Sequence, residues 1–179
     1  SVQEEVGLRG AKTAAWDVDP YMGIAVDVTQ TGDTPGEIDG QRMQVALGKG
    51  PTVKIKDSSV ECNPQVVEHL RKAARKARIP YQDEILLAGG TDTAAMQKSR
   101  DGVLSGCVSI PCRNIHTPGE IVSLKDVERA GKLIAAAAKL NVGCAVIVEG
   151  EVIASPNPKQ PVELKATALT LEGDCPADY

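Results

Sequence analysis

Apolar runs that suit buried strands alternate with stretches of helical period through residues 23–140, and this alternation most narrows the folds open to the chain. "GIAVDVTQ" (23–30) reads as a central strand, because its apolar residues form a short, nearly continuous run. "NPQVVEHLRKAARKARIP" (63–80) has the period of an amphipathic helix. Asn63 suits the N-cap and Pro64 the first turn. Val66, Val67, Leu70, Ala73, Ala74 and Ala77 make one apolar stripe. Arg71, Lys72, Arg75 and Lys76 crowd the last turns, where the helix dipole favours cations, and Pro80 is expected to stop the helix. "YQDEILLA" (81–88) and "VLSGCVSIPC" (103–112) read as further strands. "SLKDVERAGKLIAAAAKL" (123–140) reads as a second long helix, opened by Ser123 and Asp126 at capping-box spacing. Strands alternating with helices predict an α/β fold, with a mixed, mostly parallel sheet flanked by helices.

The other segments are shorter. "SVQEE" reads as a strand ending in a loop at Gly7, and "LRGAKTAAW" (8–16) as a short helix. "TGDTPGEIDG" (31–40) has loop chemistry, and "RMQVALGKGPTVKIKD" (42–57) suits two short strands around a Gly/Pro turn. "GGTDTAAMQKSRDG" (89–102) leads from a loop into a short helix capped by Thr91 or Asp92. After Asn141 helical period stops, and three strands are expected near 143–149, 151–154 and 162–171. A boundary near 141 therefore divides an α/β unit, 1–141, from an all-β tail, 142–179.

Composition excludes several classes. With 42 % apolar and 25 % charged residues the chain is globular. It contains no Phe, one Trp and three Tyr, so its core must be aliphatic. The net charge of −4 argues against a nucleic-acid surface. No apolar run reaches the ~18–20 residues of a membrane span, and no charged-then-apolar leader occurs, so a cytoplasmic protein is expected. Five cysteines, an odd number without a CxxC, read as buried thiols.

Chemistry-bearing residues gather near strand ends, where α/β sheets bind ligands. Glu4 and Glu5 close the expected first strand, Asp27 lies in the second, and His116 follows the strand at 103–112. A His with carboxylates suits a hydrolytic zinc or cobalt site. Adjacent glutamates repel unless a cation offsets them; one could then hold the metal while the other takes a proton. The same residues also suit a solvated acidic loop, a structural strand Asp and a surface His.

"VQEEVGLRGA", "AVDVTQTGDTPG", "GGTDTAAMQKSRDGV" and "SIPCRNIHTPGEIVSLKDVERAGKLI" occur in that order. Together they resemble the co-catalytic metallo-aminopeptidases of the glutamyl and tetrahedral type, some of which are labelled endoglucanases. The resemblance implies Glu4 as general base, Glu5 and His116 on one metal, Asp27 on the second, and Gly90, Thr91 and Asp92 around the pocket. It implies removal of N-terminal residues from short peptides and two divalent ions (Zn or Co). The family's inserted β-rich domain, which mediates assembly, is missing from this sequence, so a homo-oligomer is expected only through sheet completion. The family's remaining ligands, a His and a bridging Asp, lie upstream of the Glu pair. The sequence thus reads as the second half of a catalytic domain, with weak metal binding and turnover reduced or absent expected. The tail, through "SPNPKQPVELKA" and "EGDCPADY", resembles the end of the anticodon-binding OB domain of asparaginyl-tRNA synthetases. A chimera follows, and with it a rival expectation: a non-catalytic fragment that assembles by completing a sheet. RNA binding by OB strands is disfavoured, since stacking aromatics are missing after 141 except Tyr179.

Overall fold

The computed structural model describes residues 2–33, 43–138, 145–154 and 162–173. The chain divides into two compact units, Ser1–Ala137 and Ala138–Tyr179. Residues 34–40 of the loop expected over 31–40, the boundary near 141, the Pro-rich 155–161 stretch and residues 174–179 lie outside the described residues.

In the first unit, a 3-10 turn (Glu4–Val6) precedes α1 (Arg9–Val18), β1 (Met22–Gln30), β2 (Thr52–Lys56) and α2 (Pro64–Lys76). Then come β3 (Gln82–Ile85), α3 (Thr93–Gln97), β4 (Leu104–Arg113), β5 (Ile121–Val122) and α4 (Leu124–Ala137). The sheet order is β1-β4-β2-β3, with β5 paired to the end of β4. β1 runs parallel to β4 and β2 parallel to β3, whereas β2 and β4 are antiparallel. The sheet is thus mixed, with helices packed on it, as expected.

The core is aliphatic. Val53, Val66, Leu70, Cys107, Val108 and Leu133 are fully buried where α2 and α4 meet the sheet. Burying such a side chain contributes about 1.5–3 kcal/mol before entropy is counted. At Gly106 of β4, an added Cβ would come within 2.6 Å of Val66 on α2, so helix and strand approach more closely than alanine allows. His69 ties α2 to α4 through a 2.9 Å contact between its Nε2 and the Ala137 carbonyl. Burial pushes the Cys62 thiol up to about 11 and Cys107 up to about 12. Both should resist iodoacetamide in the folded chain at about pH 8 and react fully once it is unfolded, as read by peptide mass spectrometry. Alkylation of Cys107 at the denatured-chain rate would show that this core opens.

α2 matches its sequence at the start. Asn63 accepts the backbone N–H of Gln65, and Pro64 sits in the first turn. Its end differs. Arg78 adopts a left-handed φ of 55°, its N–H bonds Arg75 O, and the N–H of Ile79 bonds Ala74 O. This Schellman closure ends the helix before Pro80 and turns buried Ile79 onto the core, leaving Ala77 exposed.

Several expectations are corrected. "SVQEE" is not a strand: Glu4–Val6 form a 3-10 turn between left-handed Gln3 (φ 55°) and Leu8 (φ 55°). Of the two strands expected over 42–57, β2 alone forms among the described residues. Residues 43–50 run as loop, because buried Asp126 accepts the backbone N–H groups of Gly48 (2.6 Å) and Gly50 (2.9 Å). Gly50, at φ 106°, lies so near Pro80 that a Cβ would fall 2.0 Å from the Pro80 carbonyl oxygen. Asp126 is therefore a tertiary anchor, and its contact with Ser123 is only backbone N–H to carbonyl. The Asp92 side chain makes no capping bond to α3, while the Thr91 hydroxyl donates to Asp57 (3.1 Å) and lies 3.0 Å from the Thr93 hydroxyl.

Among its described residues the second unit has two strands where three were expected. β6 (Ala145–Ala154) pairs antiparallel with β7 (Val162–Gly173). Gly150 marks a register shift within β6, between the two segments 143–149 and 151–154 that were expected as separate strands. No helix among the described residues is long and apolar enough to cross a membrane.

Candidate functional site

Parallel pairing of β1 with β4 sets Asp27 opposite Ser109 and brings the ends of both strands to one side of the sheet. Just past those ends, Arg113 grips Asp33 through two bonds, of 2.7 and 3.2 Å, and holds its carboxyl well below the usual carboxylate range. The 3-10 turn before α1, the end of β1, the loop after β3 and the loop after β4 together enclose a cleft of about 610 Å³. Glu4, Glu5, Asp27, Gly90, Thr91 and His116 all line it. Asp92 does not line it, although its charge acts on two residues that do. The cleft is not confined to the carboxyl ends of parallel strands. Asp27 lies before the end of β1, and the loop after β3 enters from a strand that runs opposite to β1.

One contact joins expected site residues directly. His116 Nε2 lies 3.1 Å from Glu5 Oε1, and both side chains are largely exposed. Asp27, half-buried, accepts the backbone N–H of Val28 at 2.7 Å. Burial pushes the Glu4 carboxyl above its ordinary range, and the charges of Asp27, Asp92 and Glu5 push it further. Burial also raises Asp27; the Val28 N–H and the Lys54 charge oppose that shift, while Asp92 and Glu5 add to it. Glu4 and Asp27, both raised, lie near further carboxylates and an imidazole, which is donor chemistry a borderline divalent cation would balance. Glu5 and His116 offer two donors to such an ion, with Asp27 on another wall of the cleft. Among the described residues, no three His, Cys, Asp or Glu side chains converge as one metal-holding group.

Sequence reasoning missed three features. Glu120 lines the cleft and accepts the His116 backbone N–H at 2.6 Å. Thr29 lines the cleft from β1 and donates to Glu84 at 2.7 Å. Glu84 in turn pairs with Lys54 and takes the Thr52 hydroxyl, and Lys54, Glu84 and Thr52 are all fully buried. The signal was present in "TVKIK", where a lysine interrupts an apolar strand, but its partner is 30 residues away.

A lysyl aminopeptidase of Pyrococcus furiosus is 40 % identical over 134 residues, covering 74 % of this chain and 37 % of that protein. The solved aminopeptidase of the archaeon Desulfurococcus kamchatkensis superposes with a TM-score of 0.71 at 42 % identity, over 76 % of this chain and 39 % of that one. The TET1 peptidase of Pyrococcus horikoshii, which can assemble into a tetrahedron or a large octahedral shell, has a TM-score of 0.60 at 32 % identity, over 77 % of this chain and 39 % of that one. The chain thus spans well under half the length of these relatives. For the tail, an asparagine–tRNA ligase of Acetivibrio thermocellus is 52 % identical over 42 residues, which are 24 % of this chain and 9 % of that protein. Residues 1–133 match the M42 glutamyl aminopeptidase family, and the chain belongs to that family.

Proposed function

We propose that this chain carries part of the site of a metal-dependent aminopeptidase that releases N-terminal residues from short peptides. One observation supports this above the rest: Glu4, Glu5, Asp27 and His116 share a cleft, and Glu5 and His116 are already in contact. Glu5 and His116 would hold one divalent ion, zinc or cobalt, and Asp27 would help to hold a second. Such an ion supplies Lewis acidity when bound.

The chain's own residues do the rest. The acidic wall attracts the α-ammonium group of a peptide and orients its first residue toward Glu4. Glu4, with its raised carboxyl, takes the proton of the attacking water and returns it to the leaving amine. Gly90 and Thr91 shape the wall opposite, and Thr91 is fixed through Asp57. Assembly into homo-oligomers, as the Pyrococcus horikoshii relative does, belongs to the same reading. So does descent of the tail, 142–179, from a synthetase OB domain after a boundary near 141.

The test is release of an amino-acid anilide by the purified chain across a zinc and a cobalt titration. Cation-dependent release supports the reading. No release at any cation concentration sinks it for the chain alone and favours the second reading, a non-catalytic fragment that assembles through its sheets. The paired β6 and β7, with exposed Val152 and Val162, motivate that alternative. Sedimentation that returned only monomer would count against it.

A further inference from the structure

The loop between β4 and β5 places two non-glycine residues in the left-handed region, Asn114 at φ 55° and His116 at φ 61°. L-residues resist this conformation because Cβ crowds the backbone. Asn114 is compensated locally: its Nδ2 donates to the Gly119 carbonyl at 3.3 Å. Thr117 braces the same turn, donating to Asn114 O at 2.6 Å and accepting from the Gly119 N–H at 3.3 Å. His116 lacks such self-compensation, because its ring is aimed away at Glu5. Its backbone N–H is instead held by Glu120 Oε1 at 2.6 Å, the short length of a charge-assisted bond. Glu120 is itself anchored, since the next residue, Ile121, pairs with Arg113 at the end of β4.

We infer that Glu120 is a positioning residue: its carboxylate holds the His116 backbone in the left-handed turn that points the imidazole at Glu5. The inference rests on the reading of Glu5 and His116 as metal-holding residues. It adds that the pair is assembled by the loop before any ion or peptide arrives. Glu120 touches no reacting atom, and its effect passes through His116.

The experiment uses the isotope-labelled full chain and two variants, Glu120→Ala and Glu120→Gln. Glu120 is exposed, so both should fold, and circular dichroism checks this. In the wild type, the His116 amide proton should lie downfield, with the coupling and Cα shift of a positive φ. Glu120→Ala should lose both signatures, and Glu120→Gln, which keeps an acceptor oxygen, should retain them in part. Cobalt binding, followed by visible absorbance, should weaken about 10–100-fold in Glu120→Ala and less in Glu120→Gln. His116 signals unchanged in Glu120→Ala would overturn the inference whatever the metal does. Lost signals with unaltered cobalt affinity would overturn the positioning role. A wild-type chain that takes up no cobalt would defeat the metal reading, while the amide signals would still decide whether Glu120 holds the loop.

Discussion

Glu4→Gln is expected to lower cation-dependent anilide release by about 10²–10⁴-fold, the usual contribution of a general base. The substitution keeps the shape of the side chain and removes its charge together with its capacity to accept a proton. Glu4 lines the cleft, whereas Glu5 is the residue in contact with His116, so Glu4→Gln should weaken cobalt binding far less than Glu5→Gln. The loss should fall on kcat with KM little altered, because the missing interaction exists only in the transition state. Glu5→Gln should behave differently, weakening metal binding first and turnover as a consequence. Turnover in Glu4→Gln within about threefold of wild type would assign the proton to another group, since so small a change lies well below a general base's contribution.

A second large effect is expected away from the reacting groups. Lys54→Met should cost about 3–5 kcal/mol of folding stability, the range found when one member of a buried pair is removed. Lys54 and Glu84 are register partners on β2 and β3, and both side chains are fully buried. Glu84 gathers Lys54 and Thr29 on one oxygen and Thr52 on the other. Without the ammonium, the carboxylate keeps two hydroxyl donors but no countercharge. Against a total stability of about 5–15 kcal/mol for a domain, that loss is severe. Lys54→Met/Glu84→Leu should be less destabilised than Lys54→Met, because it buries no unpaired charge. It should still fall short of wild type, because Thr29 and Thr52 lose their acceptor. Urea unfolding at constant m-value measures all three chains. A Lys54→Met midpoint equal to that of the wild type would show that the pair contributes no net stability.

The parts of this fold that were legible are those decided by short-range pattern. Asn63, Pro64 and the stripe through Val66 and Leu70 specify α2, and apolar runs specify β1 and β4. What was not legible depends on distant partners. "SVQEE" reads as a short strand ahead of Gly7, but left-handed Gln3 and Leu8 bracket a 3-10 turn instead, and neither residue type advertises that conformation. Asp126 has the spacing of a cap, yet backbone N–H groups at Gly48 and Gly50 claim its carboxylate. Arg78 closes a helix where Pro80 was the visible stop. For the site, the residue types were readable from motifs, but the shared cleft was not. It depends on a β1–β4 pairing that joins segments about 80 residues apart. Glu120 escaped notice because its role is to hold a backbone N–H, and nothing in "HTPGE" distinguishes that use from a solvated glutamate.

That long-range pairing also governs how the molecule must be made. A ribosome delivers Asp27 and the rest of β1 well before β4, so β1 meets this neighbour only when Leu104–Cys112 have emerged. Until then the edge of β1 that β4 will cover stays open to other nascent chains, and closing so wide a loop is slow. Synthesis paused between α2 and β4 would therefore leave an aggregation-prone intermediate, and a trigger-type chaperone would be most useful during that interval.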